Sequence, residues 1–297
     1  MTLPVAIIGA GPAGIAAAVQ LRRGGIDFLI FEGGVIGGLL NEAQRVENFP
    51  GIPGGLPGRT LAARLKRQLD ASGIRVQMSS VLHLSFRDGA FAIRTGKGVR
   101  QAARTILACG STPIAAGPPL DPERLRGRLF ASVLPLLKAR GEAIAVIGGG
   151  DAACDYALNL AARNQVHVLV RSSRPRALPL LLERCRRHRN IIIHENCRLI
   201  RVETRGGMAE VVLKTLNPLD GSRGEIACRR ILTAIGRAPA LQFLDPALRS
   251  SLSKLGKKKK IYLAGDVGNG RFRQAAIAAA DGLRAAMEIQ EEVSRCG

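Results

Sequence analysis

Two stretches of the chain carry the same pattern of apolar and polar positions. Val5–Ile8 is a short continuous apolar run, the pattern of a strand buried in a parallel sheet. A glycine-rich turn follows, then an Ala-rich segment, Ile15–Arg23, that reads as a helix ended by Gly24-Gly25. Phe28–Phe31 is a second apolar run and closes at Glu32. The pattern returns as the strand Ala143–Ile147, the turn Gly148-Gly149-Gly150, the helix Asp151–Arg163 and the strand Val166–Val170. A βαβ unit thus occurs twice, at 5–32 and 144–171, and this duplication organises the sequence. The expected fold class is α/β, with two Rossmann-like dinucleotide-binding domains.

The segments between are less regular. A loop rich in Gly, Asn and Pro occupies Gly33–Gly58, and Thr60–Ser72 reads as a helix. Short strands are expected from Val76 to Ile93 around the turn Arg87-Asp88-Gly89, and another at Thr105–Ala108. Four prolines mark Pro113–Pro122 as a linker. After the second unit come a basic helix (Leu180–His188), the strand Ile191–His194 and hairpin-like strands to Cys228. Further strands are expected at Ile231–Ala234 and, after the basic run Lys257–Lys260, at Ile261–Ala264. An Ala-rich helix starts at about Gln274.

The two glycine turns carry the chemistry. The first is spaced Gly9-x-Gly11-x-x-Gly14, with Pro12 and Ala13 between. Its first glycine permits the tight turn, its second lets the backbone approach a pyrophosphate, and its third lets helix pack on strand. The helix N-terminus adds free N–H groups and partial positive charge. Glu32, 18 residues after Gly14, ends the second strand where a carboxylate can accept from an adenosine ribose. The second turn reads Gly148-x-Gly150-x-x-Ala153, with Asp151 and Ala152 opening its helix. Its second strand ends in no acid. Arg171, Arg174 and Arg176 follow instead, and guanidinium groups bind a 2′-phosphate that a carboxylate would repel. That favours NADPH, with NADH as the alternative. Two such domains in tandem imply a hydride passing from a nicotinamide to a second cofactor, with a flavin the evident choice.

Composition narrows the field. The chain has 297 residues, room for two domains. Its formal net charge is +21, a field that attracts acidic partners, but no helix-turn-helix, zinc-finger or RNA-recognition signature accompanies it. With 3% aromatic residues and no Trp, a stacking platform for single-stranded nucleic acid is not expected. Six cysteines, the closest pair 12 positions apart, contain no Cys-x-x-Cys and no metal-type spacing. They read as free thiols of a cytoplasmic protein. The first strand begins almost at once, so no signal peptide is expected, and no run is long enough for a membrane span.

The chain resembles the low-molecular-weight thioredoxin reductase family of flavoproteins. The resemblance rests on Gly-Ala-Gly-Pro-Ala-Gly at 9–14, Gly37-Gly38 followed by Val46-Glu47-Asn48-Phe49-Pro50-Gly51, and Ala108-Cys109-Gly110. It extends through Ala234-Ile235-Gly236-Arg237-Ala238-Pro239 and Gly265-Asp266-Val267 to Arg273-Gln274-Ala275. It implies two three-layer ββα domains, the second inserted into the first: an FAD domain at 1–114 and 236–297, and an NAD(P)H domain at 115–235. It further implies FAD contacts at Gly38, Leu39, Asn48, Ala108, Gly110, Gly265, Asp266, Arg273, Gln274 and Ala275, NADPH contacts reaching Ile235 and Gly236, and a homodimer.

The departures are as informative. Where the family carries its redox Cys-x-x-Cys and acidic proton donor, this chain has Ala131, Leu134 and Pro135. Leu39 stands for a polar Gln, and Ser172 for a basic residue of the NADPH motif. The flavin then carries the chemistry, with no catalytic side chain and no metal. The favoured reading is an NAD(P)H-dependent flavoprotein oxidoreductase exchanging electrons with an acidic carrier of the ferredoxin or flavodoxin type. Relatives of that kind usually carry an aromatic residue in a C-terminal extension, and this chain ends soon after its last helix. The alternatives are reduction of a quinone, a small disulfide or oxygen, and a non-catalytic flavin-binding redox sensor.

Overall fold

The computed structural model describes residues 3–206 and 210–296 and divides into two compact units. Unit 1 comprises 1–41, 46–112 and 238–297; unit 2 comprises 42–45 and 113–237.

Unit 1 opens with β1 (Leu3–Ile8), α1 (Pro12–Arg23) and β2 (Phe28–Glu32), followed by α2 (Gly58–Ala71), β3 (Val76–Met78), β4 (Val81–Arg87), β5 (Ala90–Thr95) and β6 (Gly98–Leu107). The sheet order is β3-β2-β1-β6-β5-β4. β1 is parallel to β2 and β6, so the βαβ connection is a crossover and α1 covers one face. Alternation along β1 divides the core. Val5 and Ile7 pack among the helices with Ile15 and Leu21, whereas Ala6 and Ile8 pack with Leu84, Phe91 and Ile93 of the antiparallel strands. Burial on both faces explains why β1 reads as a continuous apolar run.

β6 differs from expectation. The sequence marks only Thr105–Ala108 as a strand, but β6 is ten residues long. Its first half pairs antiparallel with β5, and Val99–Gln101 is exposed there, so no apolar run marks it.

The chain enters unit 2 at Thr112/Pro113 and leaves at Arg237/Ala238. The short strands at those points, β7 (Ser111–Pro113) and, later, Arg237–Pro239, pair with each other. Unit 2 holds β8 (Leu129–Phe130), β9 (Ala143–Ile147), α3 (Asp151–Ala161), β10 (Gln165–Leu169), α4 (Pro179–Arg187) and β11 (Ile191–His194). The antiparallel β12 (Arg198–Arg205), β13 (Glu210–Leu216) and β14 (Arg223–Cys228) follow, then β15 (Arg230–Thr233). The parallel sheet runs β11-β10-β9-β15-β8. Its two faces are again divided by alternation. Ile144, Val146, Val166 and Val168 meet α3 and α4, while Ala145 and Leu169 meet Val202, Val211 and Leu213 of the antiparallel sheet.

After β16 (Arg237–Pro239), unit 1 resumes with the short helices α5 (Pro246–Ser250) and α6 (Leu252–Lys257), then β17 (Ile261–Leu263), parallel to β6, and the long α7 (Ala275–Cys296). Gly282 of α7 lies so close to Ala13 that a Cβ there would stand 1.9 Å from the Ala13 carbonyl oxygen. Glycine is required for α7 to reach α1 at that depth.

Candidate functional site

In unit 1 the first glycine turn separates its glycines by role. A Cβ on Gly9 would stand 2.3 Å from the Ala108 carbonyl oxygen, and one on Gly14 would stand 1.9 Å from the Gly9 carbonyl oxygen. Those two glycines serve the protein's own packing. Gly11 has no atom within 4 Å of a Cβ position, so open space lies over its backbone. It is also the N-cap of α1, makes no side-chain cap bond, and is followed by Pro12 at the first helical position. An uncapped helix start beneath open space fits a pyrophosphate.

Of the other expected FAD residues, Gly38, Ala108 and Gly265 lie against this turn. Gly38 lies over Gly11, 3.3 Å from its Cα by a built Cβ, and Leu39 follows half-buried in a short 3-10 turn, Gly38–Asn41. Ala108 backs Gly9 and Gly14, and Gly265 packs against Ala13 and Ala278. Gly110, with φ +67°, accepts from the Ala240 amide at 3.1 Å. Glu32 spends both carboxylate oxygens on backbone amides, those of Ala10 and Gly34, each at 2.7 Å. It thereby braces the glycine turn and the loop beyond β2, and each oxygen keeps a lone pair for a hydroxyl. Asn48 donates to the side-chain oxygen of Gln274 at 3.0 Å, joining two candidates 226 positions apart. Asp266 and Arg273 are half-buried on either side of the loop that leads to α7, and Ala275 begins that helix.

Asp281 escapes the sequence reading. From inside α7 it accepts the Gly265 amide at 3.2 Å and the Asn269 side-chain amide at 2.5 Å, and it pairs with Arg284 at 2.8 Å. It holds the loop that carries Asp266. Its one sequence signal is an Asp-Gly step inside an otherwise Ala-rich helix.

Unit 2 repeats the arrangement. A Cβ on Gly148 would stand 2.4 Å from the Ala234 carbonyl oxygen, and one on Gly149 would stand 2.6 Å from Val170, while Gly150 faces open space. Gly150 is the uncapped N-cap of α3, with Asp151 and Ala152 exposed after it. The arginine segment is pinned alongside. The Arg176 amide donates to the Gly149 carbonyl at 2.6 Å, and the Leu178 amide donates to Asp151 Oδ1 at 2.7 Å. Arg171 and Arg176 are exposed, and among the described residues no ion pair occupies either guanidinium. Ile235 and Gly236 follow β15, where Ala234 meets Gly148, and both are exposed.

Ala131 is exposed after β8, and Leu134 is half-buried. Between them Ser132 accepts the Leu134 amide at 3.2 Å and donates to Glu42 at 2.9 Å. Glu42 is buried and also accepts from the Tyr156 hydroxyl at 2.5 Å; burial and the Glu42 carboxylate push the Tyr156 phenol up. Next to it Asp155 accepts the Gln44 amide at 2.9 Å, and burial pushes its carboxyl up to about 6.

That shift predicts a pH-dependent stability. Native Asp155 holds its proton more tightly than the unfolded chain does, so its share of stability falls as pH rises from 3.8 to about 6 and stays lost above. The rise is worth about 3 kcal/mol at most. Asp155→Asn should therefore gain about 1–3 kcal/mol relative to wild type between pH 4 and pH 7 in urea unfolding. A difference that stays constant with pH would contradict this.

The cysteines correct one expectation. From spacing, none has a near partner, yet Cys154 of α3 and Cys185 of α4 meet, with the Cys185 thiol 3.5 Å from the Cys154 carbonyl. The Cys154 thiol, hydrogen-bonded to Cys185, is pulled down and that of Cys185 is pushed up. Both are free and sealed in the core, at 2% and 0% exposure. Cys109, in the crossover beside Gly9, has its thiol pushed up to about 12 by burial.

Comparison with known proteins places this geometry. Residues 3–282 match the family described as pyridine nucleotide-disulphide oxidoreductase. The chain is 32% identical to the thioredoxin reductase of Treponema pallidum over 95% of this chain and 94% of that one. It is 31% identical to the NADPH-dependent thioredoxin reductase 3 of Arabidopsis thaliana, covering 96% of this chain and 57% of that longer protein. The crystal structure of Lactococcus lactis thioredoxin reductase superposes with a TM-score of 0.85 at 25% identity, over 99% of this chain and 100% of that one. Among the described residues no helix is long and apolar enough to cross a membrane. The thioredoxin reductase family uses FAD and NADPH, and its pattern of two dinucleotide-binding domains is the one described above. The chain therefore belongs to the pyridine nucleotide-disulphide oxidoreductase family and is a thioredoxin reductase-like, NAD(P)H-dependent flavoprotein oxidoreductase.

Proposed function

We propose that unit 1 holds FAD, that unit 2 holds NADPH, and that electrons leave the flavin directly for an external carrier with no protein dithiol between. The observation that carries this reading is the segment 131–134. Ala131 and Leu134 stand where the family resemblance puts the redox cysteines, and the segment is tied down by Ser132 and Glu42. Disulfide exchange needs an attacking thiolate and a resolving thiol, and neither side chain supplies one.

Bound FAD supplies two-electron acceptance from NADPH and release of those electrons to an acceptor. The chain's residues bind and orient. The α1 N-terminus at Gly11–Ala13 would take the FAD pyrophosphate, with Glu32 on the adenosine ribose and Asp266 on the ribityl or pyrophosphate region. The Gln274 and Ala275 amides at the start of α7 would face the flavin's pyrimidine edge, where helix-terminal positive charge favours the reduced, anionic form. In unit 2 the α3 N-terminus at Gly150–Ala152 would take the NADPH pyrophosphate, and Arg171 and Arg176 the 2′-phosphate.

The formal charge of +21 supports an acidic electron carrier of the ferredoxin or flavodoxin type. A screen of acceptors under anaerobic conditions, with NADPH as reductant, tests the reading. An acidic carrier should be reduced faster than quinones or small disulfides, at a rate that falls with added salt. Turnover of a small molecule alone, independent of salt, would replace it.

Substituting both arginines tests the assignment of unit 2. Arg171→Ala with Arg176→Ala should weaken NADPH by about 10- to 100-fold and leave NADH within about twofold, since only NADPH carries the phosphate. Titration of each nucleotide against the variant checks this. Equal losses would make the arginines ordinary surface residues.

A further inference from the structure

The loop from Gly268 to Arg273 leads directly into Gln274, the residue paired with Asn48. Phe272 projects from it at 63% exposure and is the one exposed aromatic ring among the described residues. The Arg271 guanidinium lies over that ring, 5.0 Å from its centroid. Arg271 is exposed, and among the described residues no carboxylate pairs with it. Leu263 and Ile277, at 40% and 39% exposure, flank the loop, and Gly268 packs against Leu263.

These features are out of keeping with a bland surface. The chain has few aromatic residues, and burying Phe272 would remove a large apolar area from water. Arg271 holds that ring and keeps its own charge free, so the pair presents an apolar anchor with a cation on top. Aromatic and arginine side chains are the commonest anchors of protein interfaces. A free cation beside an apolar rim fits a partner whose surface is acidic around an apolar contact.

We propose that Arg271 and Phe272 form the docking anchor for a small acidic electron-carrier protein. This rests on the reading of the chain as a donor to such a carrier. The position suits the role, because Phe272 stands two residues in sequence from Gln274 at the proposed flavin edge. A partner seated on it would settle beside the segment that leads to that edge. The anchor binds and orients and takes no part in chemistry. The net charge of +21 brings an acidic partner to this surface over a distance, and the free Arg271 fixes where it settles.

The test uses the full-length flavin-loaded enzyme and a flavodoxin as probe. Binding is measured by calorimetry at low and raised salt, alongside NADPH-dependent reduction of the flavodoxin and of ferricyanide. Arg271→Glu and Phe272→Ala should each weaken flavodoxin binding by about tenfold or more. Arg271→Glu should also flatten the salt dependence. Flavin content, ferricyanide reduction and molecular mass by light scattering should match wild type. If wild type binds and reduces flavodoxin but the variants bind it equally well, the anchor lies elsewhere and the carrier reading stands. A drop in molecular mass in the variants would assign the loop to contact between copies of this chain and overturn the proposal. If wild type neither binds nor reduces the flavodoxin, the carrier reading falls and the anchor with it.

Discussion

Gly11→Val is expected to yield a folded protein without flavin. The expectation follows from the division of labour in the first glycine turn. Gly9 and Gly14 are enclosed by the protein's own backbone, whereas a Cβ at Gly11 meets nothing within 4 Å. A valine at 11 therefore costs the empty protein little, within about 0.5 kcal/mol. It fills the space over the α1 N-terminus and bars the approach of a pyrophosphate. Affinity for FAD should fall on the order of 100-fold or more, and the purified variant should be colourless. Gly14→Val should instead fail to fold, because its side chain would meet the Gly9 carbonyl. Absorbance of the purified variants, unfolding by urea and reconstitution with FAD separate the outcomes. A yellow Gly11→Val protein with a full flavin complement would remove unit 1 as the flavin site.

The second large effect is a loss of function relative to the family. Native enzyme should reduce thioredoxin with NADPH no faster than the background without enzyme, while reducing artificial dyes well. Among the described residues no thiol is suited to exchange. Cys109, with a thiol pushed up to about 12 by burial, is held protonated at neutral pH. Cys154 and Cys185 meet, but no protein disulfide can reach them in the core. Burial also pushes the thiols of Cys197 and Cys228 up. Cys109→Ser should therefore keep NADPH-to-dye activity. Thioredoxin reduction that a single cysteine substitution abolishes would show a second route to thiol chemistry.

What could be read from the chain follows from where the signal is local. β1, β2, β9 and β10 are buried on both faces, so their apolar runs stand out, and the turns after β1 and β9 need glycine for backbone reasons. The first half of β6 was hidden because its Arg and Gln residues face water. Asp281 and Glu42 act through contacts between residues apart in sequence, so the Asp-Gly step is the one local trace of the first and nothing near Glu42 marks its role. The approach of Cys154 to Cys185 depends on how α4 lies on α3, and their spacing of 31 residues carries no trace of it.

Anaerobic titration of the flavin-loaded enzyme with NADPH bears most directly on the central claim. A flavin that stands alone as the redox centre accepts a single two-electron equivalent, whereas a flavin with a protein disulfide accepts two. Bleaching of the flavin band should therefore be complete at one equivalent of NADPH per FAD, with no thiols gained. Consumption of a second equivalent, accompanied by new thiols and lost on replacing a single cysteine, would contradict direct transfer from the flavin.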